Sequence, residues 1–210
     1  MPKTLKRAAP VSSVRTRRAY FDCRFGQLHV RTAIPTTGGF DEQVTLICEH
    51  GSTGASREFA RFLPLIADQR SVYAPDLPGS GESDPPEPGS EDPVGAITDL
   101  ATDLRLRQID VLGFDSGAAV AVELAIAKAD LVRRVVLVAA APTERWSLLR
   151  QPAFVLTIGE QTAATRQRGR GLPPNARHAH VVEYAADLFT AAPQTLAKQF
   201  AQFLNDEGGA

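Results

Sequence analysis

The sequence predicts an α/β fold, a mostly parallel sheet with helices on both faces. Three observations lead there. Short apolar runs at Val44–Cys48, Ile109–Leu112, Val135–Ala140 and Phe154–Ile158 have the length and continuity of strands buried on both faces. From the first run onward, strand-like and helix-like stretches alternate mostly one for one, as parallel strands joined by helical crossovers require. Small-residue loops follow several strand ends, the edge where open α/β sheets hold their ligands. The loops after strands three, five, six and seven are therefore where function is to be sought.

The elements follow in order. Residues 1–18 hold Lys3, Lys6, Arg7, Arg15, Arg17 and Arg18 and no acid. With Pro2 and Pro10 among them, residues 1–17 are expected to form a disordered, solvated arm. Arg18 to Ala33 alternates apolar and polar residues around Gly26, the pattern of an antiparallel hairpin. His29 falls in its second strand, where a half-exposed structural role is expected. Val44–Cys48 is the first buried strand. Glu49-His50-Gly51-Ser52-Thr53-Gly54-Ala55-Ser56 is a strand-to-helix loop, after which Phe59, Phe62, Leu63 and Ile66 recur at helical spacing. Ser71–Ala74 is a short strand, and the stretch from Pro75 to Pro93 is too rich in proline and glycine for helix or strand.

Ile97–Leu106 reads as an amphipathic helix. Ser116–Lys128 is apolar almost all round, so it reads as a buried one. Strands follow at Val135–Ala140, Phe154–Ile158 and Val181–Tyr184, the last preceded by a basic loop over 162–180. Pro193 opens a final helix as its first residue, with a stripe of Leu196, Phe200, Phe203 and Leu204. The expected organisation is one domain over 18–205 and a polar tail over 206–210.

Composition narrows the function classes. The chain has 210 residues, 43% of them hydrophobic and 22% charged, enough for one domain with a large core. Net charge is -1, so outside the six cations of the basic arm the chain carries -7. A nucleic-acid-binding domain would be basic as a whole, and none is expected as partner. No apolar run approaches the ~20 residues of a membrane span, and no signal peptide is recognised. Cys23 and Cys48 lie in strands and form no Cys-x-x-Cys pair, as in a reduced, cytoplasmic protein. No cofactor or metal site is expected; the expected partner is a small-molecule substrate or ligand.

The most informative stretch is Ile109-Asp-Val-Leu-Gly113-Phe-Asp115-Ser-Gly117-Ala-Ala-Val120. An apolar strand enters, a small-residue turn follows, and an apolar helix leaves. Gly113 and Gly117 bracket the turn because its apex is crowded and its neighbours can carry almost no side chain. Gly-x-Asp-x-Gly thus stands where Gly-x-Ser-x-Gly would present a serine nucleophile. Asp115 is the candidate nucleophile. A carboxylate is ionised at neutral pH and needs no general base to attack. Ser116 as nucleophile would require glycine at 114, where Phe114 stands.

Together these residues resemble the α/β-hydrolase fold family over residues ~18–204. His50-Gly51 resembles its oxyanion loop, Asp76-x-Pro78-Gly79-x-Gly81-x-Ser83 the loop after its fourth strand, and Leu112–Ala118 its nucleophile elbow. The resemblance implies an eight-stranded, mostly parallel sheet. It also implies an oxyanion hole made by the backbone N–H groups of Ser52 and Ser116, with His50, Gly51, Gly113, Gly117 and Trp146 around the pocket. An aspartate at the elbow is similar to the haloalkane dehalogenase and epoxide hydrolase branches, in which the carboxylate forms an ester that water then hydrolyses.

The sequence also departs from that pattern. In the loop that would bring a histidine, Ala186 stands at the corresponding position. Thr162 stands where an aspartate is usual. Glu144 is the substitute candidate for the acid. His178 and His180 precede or lie within the last strand, and His50 belongs to the oxyanion loop. The twelve residues Ala141–Pro152 leave no room for a cap domain, although Trp146 with Leu148 and Leu149 could form a one-turn lid or pack into the core. Two readings follow. One is a hydrolase of a small ester, epoxide or carbon–halogen substrate. The other is a degenerate member, a pseudoenzyme, that binds a small ligand or partner protein.

Overall fold

The computed structural model describes residues 14–36, 43–52, 54–158, 172–181 and 188–206. Eight strands form one sheet: β1 Val14–Cys23, β2 Gly26–Pro35, β3 Thr45–Glu49, β4 Val72–Pro75, β5 Ile109–Phe114, β6 Val132–Val138, β7 Ala153–Ile158 and β8 Ala176–Val181. Their spatial order is β1-β2-β4-β3-β5-β6-β7-β8. β1 pairs antiparallel with β2 and β2 antiparallel with β4; every later pair is parallel. The predicted α/β architecture is the observed one.

Among the described residues, five α-helices flank the sheet: α1 Leu63–Ile66, α2 Pro93–Asp103, α3 Gly117–Ala127, α4 Leu188–Ala191 and α5 Pro193–Leu204. One face buries Leu46, Cys48, Leu112, Val136 and Val138 against Phe59, Phe62, Leu63, Phe200 and Phe203. The other buries Ile47, Val111, Val135 and Leu137 against Ile97, Ala121, Val122, Leu124 and Trp146. Alternation along the doubly buried strands supplies both faces. Small residues on α3 let it lie close to the sheet.

Several boundaries differ from the sequence reading, each for a local reason. β1 begins at Val14, inside the stretch expected to be disordered, because residues 14–17 pair with Thr32–Pro35. The single helix expected from Phe59 is broken into a 3-10 turn, Ser56–Phe59, and α1. Pro64 lacks an N–H and is accommodated only in the first turn of α1. α2 starts earlier than expected, at Pro93, where the Asp92 side chain accepts the Gly95 N–H at 2.7 Å. β8 lies at 176–181, ahead of the strand expected at 181–184.

The N-terminal edge of the parallel strands is tied to the end of α5. Buried Asp110 accepts from Arg70 at 3.1 Å and from Arg133 at 2.9 and 2.6 Å. Arg133 also donates to the Leu204 carbonyl at 2.8 Å, and Arg134 to the carbonyls of Phe203 and Asp206. Arg70 reaches the Asn205 side chain. The candidate site lies at the opposite, C-terminal edge, where β5 ends.

Candidate active site

β5 delivers its chain into a turn at Asp115, whose φ is 52°. This left-handed conformation costs a non-glycine residue about 1–2 kcal/mol. The Asp115 N–H donates to Val138 O at 2.9 Å, and the Ala118 N–H to Asp115 O at 3.2 Å. The flanking glycines are required by contact. A Cβ on Gly113 would come within 2.4 Å of the Ala118 Cα, and one on Gly117 within 2.4 Å of the Glu49 and His50 carbonyl oxygens. Asp115 and Ser116 are exposed while the strand behind them is buried. α3 starts two residues after Asp115, so its positive end faces that carboxylate.

The loop after β3 lies against this turn. A Cβ on Gly51 would meet Asp115 Oδ2 at 3.0 Å, so the carboxylate rests directly on the Gly51 backbone. The Ser52 N–H, one expected oxyanion donor, donates to Ser116 Oγ at 2.5 Å. That N–H is thereby engaged by the neighbouring serine hydroxyl. His50 is fully buried. Its Nδ1 donates to Gly51 O at 2.7 Å and its Nε2 accepts the Leu77 N–H at 2.9 Å. With both nitrogens engaged, it splints the loops after β3 and β4 together.

The loop after β4 is organised by Asp76. Its Oδ1 accepts the Ser56 N–H at 2.6 Å; its Oδ2 accepts the Glu82 N–H and His29 Nδ1, each at 2.9 Å. Burial works against its charge, but the hydrogen bonds from Ser56, Glu82 and His29 outweigh it and hold the carboxyl below its ordinary value. Gly81 leaves room for the carboxylate, and Ser83 Oγ donates to Asp76 O at 2.7 Å. His29 is only 2% exposed, which corrects the half-exposed role expected of it. Its neighbours Asp76 and Tyr20 explain the burial.

Two carboxyls beside the site were not singled out in the sequence. Glu49 ends β3 fully buried, with neither oxygen hydrogen-bonded among the described residues, and burial raises its pKa well above the ordinary value. Glu58 sits in the 3-10 turn. Burial raises its pKa, the Asp115 charge adds to that, and His50, the Gly51 N–H and Arg57 oppose it. The only signal in the sequence was an acid in the first turn after the oxyanion-like loop.

The remaining candidates are more distant in role. Glu144 opens the 3-10 turn Glu144–Leu148 and is exposed; its carboxylate makes no hydrogen bond or ion pair among the described residues. Trp146 is 2% exposed and packs in the core with Leu149, as a packing residue and not a lid. His178 and His180 fall within β8, beside Val155 and Thr157 of β7. Ala186 and Thr162 lie outside the described residues. Phe189 of α4 packs against Phe59, Phe62 and Phe114, with ring centroids 4.7, 5.1 and 5.3 Å away. This places an apolar floor beside the elbow.

Residues 46–208 match the model of the alpha/beta hydrolase family. The chain belongs to that family. An alpha/beta hydrolase of this kind lacks a cap among its described residues, since only residues 139–152 join β6 to β7. It is 34% identical over 91 residues to a soluble epoxide hydrolase from Corynebacterium sp. (strain C12), covering 42% of this chain and 32% of that protein. The match thus spans about a third of the curated relative's length. Among solved structures, the fold is similar to that of naproxen esterase from Bacillus subtilis, with a TM-score of 0.77 at 15% identity over 91% of this chain and 92% of that one. It is also similar to the epoxide hydrolase CorEH, with a TM-score of 0.74 at 16% identity over 90% and 98% of the two chains. Among the described residues, no helix is long and apolar enough to cross a membrane.

Proposed function

We propose that this alpha/beta hydrolase acts on a small epoxide, alkyl halide or ester, with Asp115 as the attacking carboxylate. The observation that carries the reading is the exposed Asp115 at φ 52°, presented by a tight strand–helix turn beside the Ser52 and Ser116 backbones. Backbone strain of this kind clusters at functional sites. In the first step, with an epoxide or alkyl halide, the carboxylate displaces the leaving oxygen or halide at carbon and becomes an alkyl ester. In the second, water attacks the Asp115 carbonyl carbon, and charge develops on its oxygen. The Ser52 and Ser116 N–H groups stabilise that charge once the Ser116 hydroxyl has moved aside. The similarity to a soluble epoxide hydrolase over part of the chain supports an epoxide as the first substrate to try.

Incubation with styrene oxide followed by intact-mass analysis, and by product analysis in ¹⁸O-labelled water, tests the reading. The expected result is a diol, or an adduct localised to Asp115, and neither with Asp115→Asn. Absence of both diol and adduct across epoxides, alkyl halides and esters would leave the second reading, a ligand-binding member without chemistry. That reading is favoured by the occupied Ser52 N–H and by a His50 with both nitrogens engaged.

A further inference from the structure

Gly51 separates two carboxylates. On one side Asp115 Oδ2 rests where a Cβ on Gly51 would come within 3.0 Å. On the other, the Gly51 N–H lies close enough to the Glu58 carboxylate to stabilise its charge. Gly54 makes the room: a Cβ there would fall 2.4 Å from Glu58 Oε1 and 2.5 Å from its Cδ. The Glu58 turn is rigid. Its N–H donates to Ala55 O at 2.9 Å, the neighbouring Ser56 N–H is held by Asp76, and Phe59 is fully buried. Yet Glu58 Oε2 has no hydrogen-bond partner among the described residues. A carboxyl carried on a fixed turn, near a candidate nucleophile and with one buried oxygen uncommitted, is suited to holding and releasing a proton.

Resting on the reading of Asp115 as nucleophile, we propose that Glu58 is the proton-transfer residue of this site. With an epoxide, Asp115 Oδ bonds to carbon as the carbon–oxygen bond breaks, and the freed oxygen takes the Glu58 proton. The Glu58 carboxylate then takes a proton from water as the water oxygen bonds to the Asp115 Cγ. Collapse expels the diol oxygen, which leaves with the proton of the new Asp115 carboxyl. Asp115 is again a carboxylate and Glu58 again protonated, so the sum is epoxide plus water to diol. The groups that set the Glu58 proton affinity are its own burial, Asp115, which favours protonation, and His50, the Gly51 N–H and Arg57, which oppose it. Two carboxyls sharing acid, base and nucleophile roles is an established chemical solution elsewhere.

The test uses styrene oxide with the wild type, Glu58→Ala and Glu58→Gln, each checked for a cooperative melt. In both variants the Asp115 ester is expected to form and then to hydrolyse about 100-fold more slowly than in the wild type. Added formate should restore part of the rate in Glu58→Ala. The wild-type alkylation rate should fall as pH rises and Glu58 loses its proton, a limb that Glu58→Gln lacks. A residue that only braced the loop would change neither rescue nor pH profile. Diol release by Glu58→Ala at the wild-type rate overturns the proposal, as does an ester equally long-lived in wild type and variant. Those outcomes leave Asp115 standing as nucleophile, whereas absence of both ester and diol in the wild type sinks Asp115 and Glu58 together.

Discussion

Glu49 ends a strand with no exposure and, among the described residues, no hydrogen-bond partner for either oxygen, so burial keeps its proton on well above the ordinary glutamate range. In the unfolded chain a glutamate releases that proton near pH ~4.3. Above that pH the folded state binds one proton more than the unfolded state, and stability falls as pH rises. The slope is about 1.4 kcal/mol per pH unit, and it ends only when the folded carboxyl itself ionises. Glu49→Gln removes the titration while keeping the shape. Urea unfolding of both proteins one unit apart, between about pH 5.5 and 6.5, should show the variant gaining on the wild type as pH rises, by at most about 1.4 kcal/mol. Other carboxyls, Asp76 among them, cancel in the difference. A gap that stays constant with pH, or grows toward acid, refutes a protonated and unpartnered Glu49.

Three further outcomes are expected. Gly117→Ala places a Cβ within 2.4 Å of two carbonyl oxygens, and a melt should show a loss of about 3 kcal/mol or more. Ser116→Ala frees the Ser52 N–H of its 2.5 Å partner and, at about 1 kcal/mol for that hydrogen bond, should raise kcat/KM toward styrene oxide about fivefold; a fall would mean that the hydroxyl assists the reaction. Asp110→Ala leaves Arg70 buried without its carboxylate and should cost about 3–5 kcal/mol in denaturant titration, far more than its equivalent at exposed Glu123.

The elbow was legible because its requirements are local: a strand, a helix and two positions where a Cβ cannot fit. The loop after β4 was legible for a similar reason, since Gly81 and Ser83 both serve Asp76. Phe59, Phe62, Leu63 and Ile66 recur at helical spacing and do pack in the core, but the periodicity concealed the break before Pro64. Glu58 escaped notice because its surroundings come from a loop folding back, with Gly51 and Gly54 brought over it. Glu49 read as the start of a polar loop, yet backbone pairing with Gly113 carries it into the sheet. β8 was misplaced because its charged and histidine residues mask a strand that pairs along β7.

The arginine clamp at the far edge of the sheet has a consequence for how the chain tolerates change. Arg133 and Arg134 grip Leu204, Phe203 and Asp206 by their carbonyl oxygens, a feature every amino acid shares. At those three positions the clamp's hydrogen bonds are indifferent to side-chain identity, and substitutions there are limited by core packing at Phe203 and Leu204, by the Arg134 guanidinium over the Phe203 ring and by the Arg177–Asp206 ion pair. The demand for particular residues falls instead on the donors and on Asp110, which lie far away in sequence. A mutational scan would therefore find polar determinants of α5 docking in β5 and β6, in addition to the apolar ones on the helix itself.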